Sequence, residues 1–143
     1  MKYIVMLVVL FLSLEIYGQN NMSASANKNN QLPVEITSYI KTSFPNHKII
    51  KHNMDDDDKG YEVYLDKEIV LDFNSKNEIV GIDGKSKLPD TAVPPKILAY
   101  VKSSFSSNSI TDWELEDKIQ QVTLNNGVEL EFNKSGEYIL TDK

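Results

Sequence analysis

The side chains with the clearest potential for chemistry are four consecutive carboxylates that precede a lysine and a glycine. Oxygen-rich clusters of this kind bind calcium and other hard cations. An EF-hand calcium loop is excluded, because Lys59 occupies its fifth position and Asp66 its twelfth, where a glutamate is required. Two interpretations stay open: a solvated hairpin tip, which we favour, and a weak divalent-cation site. The candidate metal ligands are Asp55, Asp56, Asp57 and Asp58.

Enzymatic chemistry has little support in the sequence. Histidine is the residue type best suited to general acid–base catalysis near neutral pH, so His47 and His52 are the candidate general bases. His52 aligns with Trp113 in the internal repeat described below, which favours a packing position in a sheet. The sequence has no Gly-x-Ser-x-Gly elbow, no glycine-rich phosphate loop and no cysteine. We therefore predict a protein that is not an enzyme and uses no cofactor.

The composition is that of a soluble folded domain. Of its 143 residues, 41% are apolar and 25% are charged, which leaves room for one domain or two very small ones. The 21 acidic residues outnumber the 15 basic residues, all of which are lysine, and the net charge is -6. Such a chain lacks the basic surface that binds phosphate backbones, so we exclude nucleic acid as a partner.

The segment 1–18 is predicted to be a secretory signal peptide. Lys2 gives a positive start, an apolar run extends from Ile4 to Leu14, and Gly18 marks the cleavage point. A membrane anchor is the alternative, but the run is shorter than the roughly 20 apolar residues that span a bilayer. We expect a periplasmic or secreted protein with no membrane attachment after cleavage. Residues 19–31, which are small and polar, are predicted to be a disordered tail.

The remaining sequence contains an internal repeat. Positions 33–49 align with positions 94–110, and after a slip in the register positions 63–78 align with positions 122–137. The slip falls in the acidic loop, where a change of loop length costs little. We place the first copy at residues 32–83, a linker at 84–92 and the second copy at 93–143. Matched pairs include Ile36 with Ile97, Phe44 with Phe105, Val63 with Val122, and Phe73 with Phe132.

Each copy is predicted to contain one helix followed by four strands. Apolar residues recur every four positions from Leu32 to Phe44 and from Val93 to Phe105, which gives each helix one apolar stripe. The period then falls to two, which is typical of strands. The predicted fold class is α+β, a tandem repeat in which both helices cover one face of antiparallel sheet. The strands are expected at about 48–54, 61–65, 69–73 and 79–83, and at about 110–116, 122–124, 128–132 and 138–141.

Strand alternation predicts that the uncovered sheet face is acidic, with apolar islands such as Val70. Such a face suits a basic or mixed protein partner through complementary charge. The alternative is an ordinary wet face without any partner, as antiparallel sheets often have. The candidate binding residues are Tyr61, Glu62, Tyr64, Asp72, Thr123, Glu129 and Glu131.

Local sequence marks of a known family occur in both copies: Leu32-Pro33, Phe44-Pro45, Gly60-Tyr61-Glu62-Val63 and Gly127-Val128-Glu129-Leu130-Glu131-Phe132. With these residues the two copies resemble the PepSY-like family of exported Bacteroidetes proteins, which are also described as beta-lactamase-inhibitor-like. The resemblance covers about residues 32–140, although the second copy departs from it at Phe105-Ser106 and at residues 119–122. It implies helix-plus-four-strand units in tandem, similar in shape to beta-lactamase inhibitory protein, whose open sheet face grips an enzyme.

We therefore expect a non-enzymatic exported module that binds an envelope or secreted protein, and the resemblance implies that it restrains a secreted hydrolase or peptidase. The alternative is a divalent-cation or small-ligand binding domain centred on the acidic loop. An enzyme of another kind would depend on His47 or His52. Edge strands can pair between molecules, so a dimer is also open.

Overall fold

The computed structural model describes residues 31–55 and 59–139. The predicted signal peptide and residues 19–30 of the predicted tail lie outside the described residues. So do Asp56, Asp57 and Asp58 of the acidic run, and residues 140–141 of the last predicted strand.

Two helices of equal length form where the apolar stripes predict them. Helix α1 spans Val34–Ser43 and helix α2 spans Pro95–Ser104. Each follows a proline, Pro33 or Pro94, whose fixed φ suits the entry to a helix. Each ends where a phenylalanine N–H donates to the carbonyl oxygen four residues earlier. In the described part of the chain, neither helix has the length and apolar character needed to cross a membrane.

The strands form one seven-stranded antiparallel sheet in which each strand pairs with its neighbour in sequence. A short 3-10 helix, Asp90–Ala92, precedes α2. The pairing of β4 with β5 joins the two halves, so the sheet is continuous across them. The strands are β1 (Ile49–Met54), β2 (Tyr61–Leu65), β3 (Ile69–Phe73), β4 (Ile79–Gly84), β5 (Ile110–Glu116), β6 (Ile119–Leu124) and β7 (Glu129–Asn133).

The α+β class is confirmed, while the division into two units of four strands each stays a prediction. The first half has four strands and the described part of the second half has three. The predicted fourth strand of the second half starts with a single bridge between Tyr138 and Phe132, and the Ile139 N–H donates to the Glu131 carbonyl oxygen at 2.8 Å.

Strand β6 begins at Ile119, earlier than the start at Val122 that the alternation predicts. Ile119 and Gln120 pair with both β5 and β7, although Gln120 is polar and buried. Its side-chain oxygen accepts a hydrogen bond from the Trp113 indole at 3.1 Å, and its amide donates to the Asn133 carbonyl oxygen at 3.0 Å. A buried amide whose hydrogen bonds are satisfied in this way costs little free energy. The strand can therefore begin before the position at which the hydrophobic pattern predicts its start.

Contacts in the first half recur at the aligned positions of the second half. The Asp66 carboxylate, in the β2–β3 turn, hydrogen-bonds His47 at 2.9 Å and accepts the Lys48 N–H at 3.3 Å. The counterpart of Asp66 is Asn125, whose side-chain oxygen accepts from the Asn108 amide and from the Ser109 N–H, each at 3.1 Å. Both turns are thereby tied to the connection that leads from the helix into the sheet.

The core lies between the helices and one face of the sheet. Ile36 and Ile97, the central residues of the two helix stripes, are fully buried, as are Val63, Leu71 and Phe132 on the strands. Burial of such side chains stabilises the fold by about 1.5–3 kcal/mol each. Both helices of residues 31–55 and 59–139 lie on this side, so no helix of this part of the chain covers the opposite face of the sheet.

Candidate binding surface on the open sheet face

The open face comprises the side chains that point away from the helices, and strand register arranges them in two adjacent rows. Each row crosses all seven strands, so residues far apart in sequence become neighbours. One row contains Asn53, Glu62, Asp72, Gly81, Glu114, Gln121 and Glu131. The other contains Lys51, Tyr64, Val70, Asp83, Asp112, Thr123 and Glu129.

Carboxylates concentrate at the middle of the open face. We call these five residues, Glu62, Asp72, Asp83, Asp112 and Glu114, the central carboxylates. They come from four neighbouring strands, β2 to β5. Like charges that lie side by side across a sheet repel one another and destabilise it. The concentration is therefore a cost to the fold that a core-packing role does not explain.

The surroundings of Asp72 raise the pKa of its carboxyl group. Partial desolvation, together with the nearby charges of Glu62, Asp83 and Glu114, raises the pKa of Asp72 from 3.8 to about 6. Its carboxylate leans over Gly81 on the adjacent strand, where a Cβ atom would lie only 3.0 Å from Oδ2. The absence of a side chain at Gly81 thus leaves the space that this carboxylate occupies.

Asp83 and Asp112 face each other directly across the β4–β5 junction. Desolvation raises the pKa of Asp112, and although a hydrogen bond from Thr111 acts to lower it, the Asp83 carboxylate raises it further. The backbone pairing that joins the two halves therefore places two carboxyl groups close enough to interact through charge and through a hydrogen bond.

An aromatic and a basic residue flank the central carboxylates on the β1 side. The Tyr64 hydroxyl donates a hydrogen bond to Glu62. The Lys51 ammonium lies 4.0 Å from the centroid of the Tyr64 ring, within the range of a cation–π interaction. Val70 is half-buried next to Tyr64. This side of the open face can hold a positive charge and also offers apolar contact.

The structure brings most of the residues predicted for binding onto one surface. Glu62, Tyr64, Asp72, Thr123, Glu129 and Glu131 all lie on the open face. Tyr61 does not, because strand alternation turns it toward the helices, where it packs against the core.

The acidic run gives no metal centre in the described residues. Asp55 is exposed at the end of β1, and its carbonyl oxygen accepts the Lys59 N–H at 3.0 Å. Within residues 31–55 and 59–139, no group of three or more histidine, aspartate or glutamate side chains is arranged to hold a metal ion.

His47 and His52 each contact neighbouring parts of the fold. His47 hydrogen-bonds Asp66, as described above, and its ring meets the Phe44 ring edge to face at a centroid distance of 5.8 Å. His52 is half-buried on β1 opposite Val63. These contacts fix the connection from α1 to β1 and the packing of an edge strand.

Sequence reasoning missed three of the five central carboxylates: Asp83, Asp112 and Glu114. Alternation within β4 and β5 already predicts that these three side chains lie on the other face of the sheet from the buried Ile82 and Trp113. Their proximity to Asp72, however, follows only from the β4–β5 pairing, which local sequence patterns do not specify.

Comparisons with known proteins agree with the architecture. A periplasmic protein of the DUF2874 family from Bacteroides vulgatus ATCC 8482 is 30% identical, with a TM-score of 0.68 over 80% of this chain and 92% of that chain. A second periplasmic protein from that strain, of unknown function, is 30% identical, with a TM-score of 0.68 over 81% and 97%. A periplasmic protein from Bacteroides thetaiotaomicron, whose description proposes calcium regulation, is 26% identical, with a TM-score of 0.70 over 79% and 91%.

No curated protein sequence matches the chain. The sequence profile of the PepSY-like family, provisionally described as beta-lactamase-inhibitor-like, matches residues 21–81 and again residues 71–140. These two matches together cover most of the sequence, so the chain belongs to the PepSY-like family.

Proposed function

We propose that this chain is an exported, periplasmic, non-enzymatic module that binds a protein partner through its open face. The observation that carries the proposal is the crowding of the central carboxylates. Partial desolvation, together with the charges of Glu62, Asp83 and Glu114, raises the pKa of Asp72 to about 6. Repulsion among these groups weakens the isolated protein, and a cationic segment of a partner would relieve it. Charge of this kind is therefore better explained by binding than by folding.

The shape of the open face suits a protein rather than a small molecule. Seven strands spaced about 4.8 Å apart make a surface roughly 30 Å wide, which is enough for a standard interface of about 800 Å² per partner. Tyr64 and Val70 supply apolar contact beside the carboxylates, and lysine or arginine side chains of the partner would sit over the row that contains Asp72 and Gly81.

The partner we propose is a secreted or envelope hydrolase, including peptidases, which the module would restrain. The family description as beta-lactamase-inhibitor-like supports this choice. The periplasmic descriptions of the Bacteroides relatives support the compartment.

The test is affinity capture from the native envelope fraction with the exported chain as bait, followed by binding measurements on each captured protein. The variant is E114K/E131K, which reverses two open-face charges that flank Gln121. We expect it to weaken binding at least tenfold, since a close interfacial charge pair contributes about 1.5 kcal/mol or more. High salt should weaken binding by the wild type as well.

The matched control is E35K/E68K, which changes the net charge equally at an exposed helix position and an exposed turn. It should retain the partner. Equal retention by both variants, or capture that high salt does not affect, would contradict binding through the open face.

Calcium binding is tested in a separate experiment, because the relative from B. thetaiotaomicron is described in terms of calcium regulation. Isothermal titration of the chain with millimolar calcium tests the alternative that the acidic run at residues 55–58 binds a cation. We expect no heat of binding. A saturable signal would instead favour a cation-dependent module.

A further inference from the structure

We propose that the outer edge of β1 binds residues 138–143 of a second copy of this chain as an added antiparallel strand. The inference is independent of the open face and of any partner bound there. It rests on the way the chain already joins its two halves.

The β4–β5 junction supplies the template. In it, the last strand of the first half pairs with the first strand of the second half through Gly81 with Glu114, Ile82 with Trp113, and Asp83 with Asp112. The alignment of the two copies makes β1 the counterpart of β5, and it makes residues 138–143 the counterpart of β4. One copy thus contains both components of a second junction of the same kind.

Within the described sheet β1 is one of the two edge strands, whereas β5 is paired on both sides. Burial reflects this difference: His52 is half-buried, while its counterpart Trp113, which pairs with Ile82 of β4, is 6% exposed, and Ile49 on β1 is 40% exposed. Ile50 and Met54 on β1 are also more than half exposed, at 65% and 53%. An edge strand with exposed apolar side chains is a favourable template for an added strand.

The bulge in β1 does not prevent this pairing. The register of β1 against β2 shifts between Ile49 and Lys51, and a bulge of this kind often protects an edge. The register of β5 against β6 shifts at the equivalent place, between Ile110 and Asp112. β5 nevertheless accepts β4 on its other side.

Charge favours the junction between copies over the junction within the chain. Transfer of the β4–β5 register places Lys51 opposite Asp142, His52 opposite Thr141 and Asn53 opposite Leu140. The internal junction sets Asp83 against Asp112, which repel each other, whereas Lys51 and Asp142 attract. Two β1 strands paired antiparallel about their centre would instead set Lys51 of one copy opposite His52 of the other.

Residues Tyr138 and Ile139 already lie beside β7, at the other edge of the sheet, as the proposed contact requires. Tyr138 bridges Phe132, and the Ile139 N–H bonds to Glu131, so the described chain ends along the outer side of β7. In the proposed assembly residues 138–143 pair with β7 on one side and with β1 of the next copy on the other. Such a head-to-tail contact uses two different surfaces, so it continues the sheet from copy to copy.

Sedimentation velocity of the exported chain over a wide concentration range gives the first test. We expect reversible association that Lys51→Glu weakens about fivefold, as does Asp142→Lys, because each replaces an attractive cross-strand pair with a repulsive one. The double variant K51E/D142K should restore association, and Lys76→Glu, at an exposed turn, should have no effect. A chain that is monomeric at all concentrations, or a double variant that does not recover, would overturn the proposal.

Cysteine cross-linking tests the register. The sequence has no native cysteine, so only the introduced cysteines can form a disulfide. We expect a disulfide-linked dimer when H52C and T141C variants are mixed and oxidised, since opposed residues bring Cβ atoms within bonding reach. A mixture of H52C with S75C, an exposed turn position, is the matched control and should stay monomeric. A linked dimer of H52C alone would mean that two β1 strands pair, and the proposal would be wrong.

Discussion

At the scale of single residues, Asp72 links the open face to the stability of the fold. Its pKa of about 6 lies above the usual 3.8, so the folded state loses stability as the pH rises between these values and stays weakened above them. Asp72→Asn removes the charge and should raise the free energy of unfolding at pH 7.5 by about 1 kcal/mol, a value reduced for solvent screening. At pH 3.5 the carboxyl is protonated in the folded state and mostly protonated in the unfolded state, so most of the gain should vanish. Urea unfolding at both pH values measures this, and Glu68→Gln, at an exposed turn, is the control. A gain of equal size at pH 3.5 would show that charge is not the cause.

Glu68, in the β2–β3 turn, also lowers the stability of the fold through its backbone conformation. It has a φ of 59°, in the left-handed region, where the second half of the chain has Gly127 with a φ of 83°. A residue with a Cβ atom costs about 1 kcal/mol in that region. Glu68→Gly should therefore stabilise the protein by about 0.5 kcal/mol, the rest being offset by the greater freedom of glycine in the unfolded chain. Thermal melts of Glu68→Gly and Glu68→Ala decide the matter, since the alanine variant retains the strain and should show no gain.

At the scale of elements, one asparagine organises the turn that follows β3 and another the turn that follows β7. The Asn74 side-chain oxygen accepts the N–H groups of Lys76 and Glu78 at 2.9 and 3.0 Å. Asn133 does the same for Ser135 and Glu137, at the same two distances. Asn74→Ala and Asn133→Ala should each lower the free energy of unfolding by about 1 kcal/mol, because two backbone donors lose their acceptor. Denaturant unfolding measures the loss, and Ser75→Ala and Ser135→Ala should leave stability unchanged.

Elements are also the level at which the sequence is most informative. The boundaries of β2, β3 and β5 and the positions of both helices follow from local periodicity, because each element must turn one apolar side to the core. The turn at Asp66 and the continuation of β6 through Gln120 depend on side-chain hydrogen bonds between distant residues. The same limit applies to the open face. Glu62 and Asp72 belong to one hairpin and are predictable, whereas Asp83, Asp112 and Glu114 join them only through the pairing of two halves.

At the scale of the whole molecule, the two halves share one buried apolar cluster as well as one sheet. We therefore expect them to unfold together in a single transition. Trp113, the only tryptophan, reports on the second half through its fluorescence, while far-UV circular dichroism reports on the whole chain. Leu71→Ala, a fully buried position in the first half, should cost about 2–5 kcal/mol and shift both signals to the same lower midpoint.

Val34→Ala is the control for this experiment, because Val34 is 70% exposed and its loss should leave both midpoints unchanged. The β4–β5 junction sets Asp83 opposite Asp112, two carboxylates that repel each other when both are charged. If that repulsion uncouples the halves, Leu71→Ala will lower the circular dichroism midpoint and leave the Trp113 transition in place. The expected coincidence of the two signals would mean that the shared core outweighs the repulsion. The central carboxylates would then lower the free energy of unfolding without separating the unfolding of the two halves.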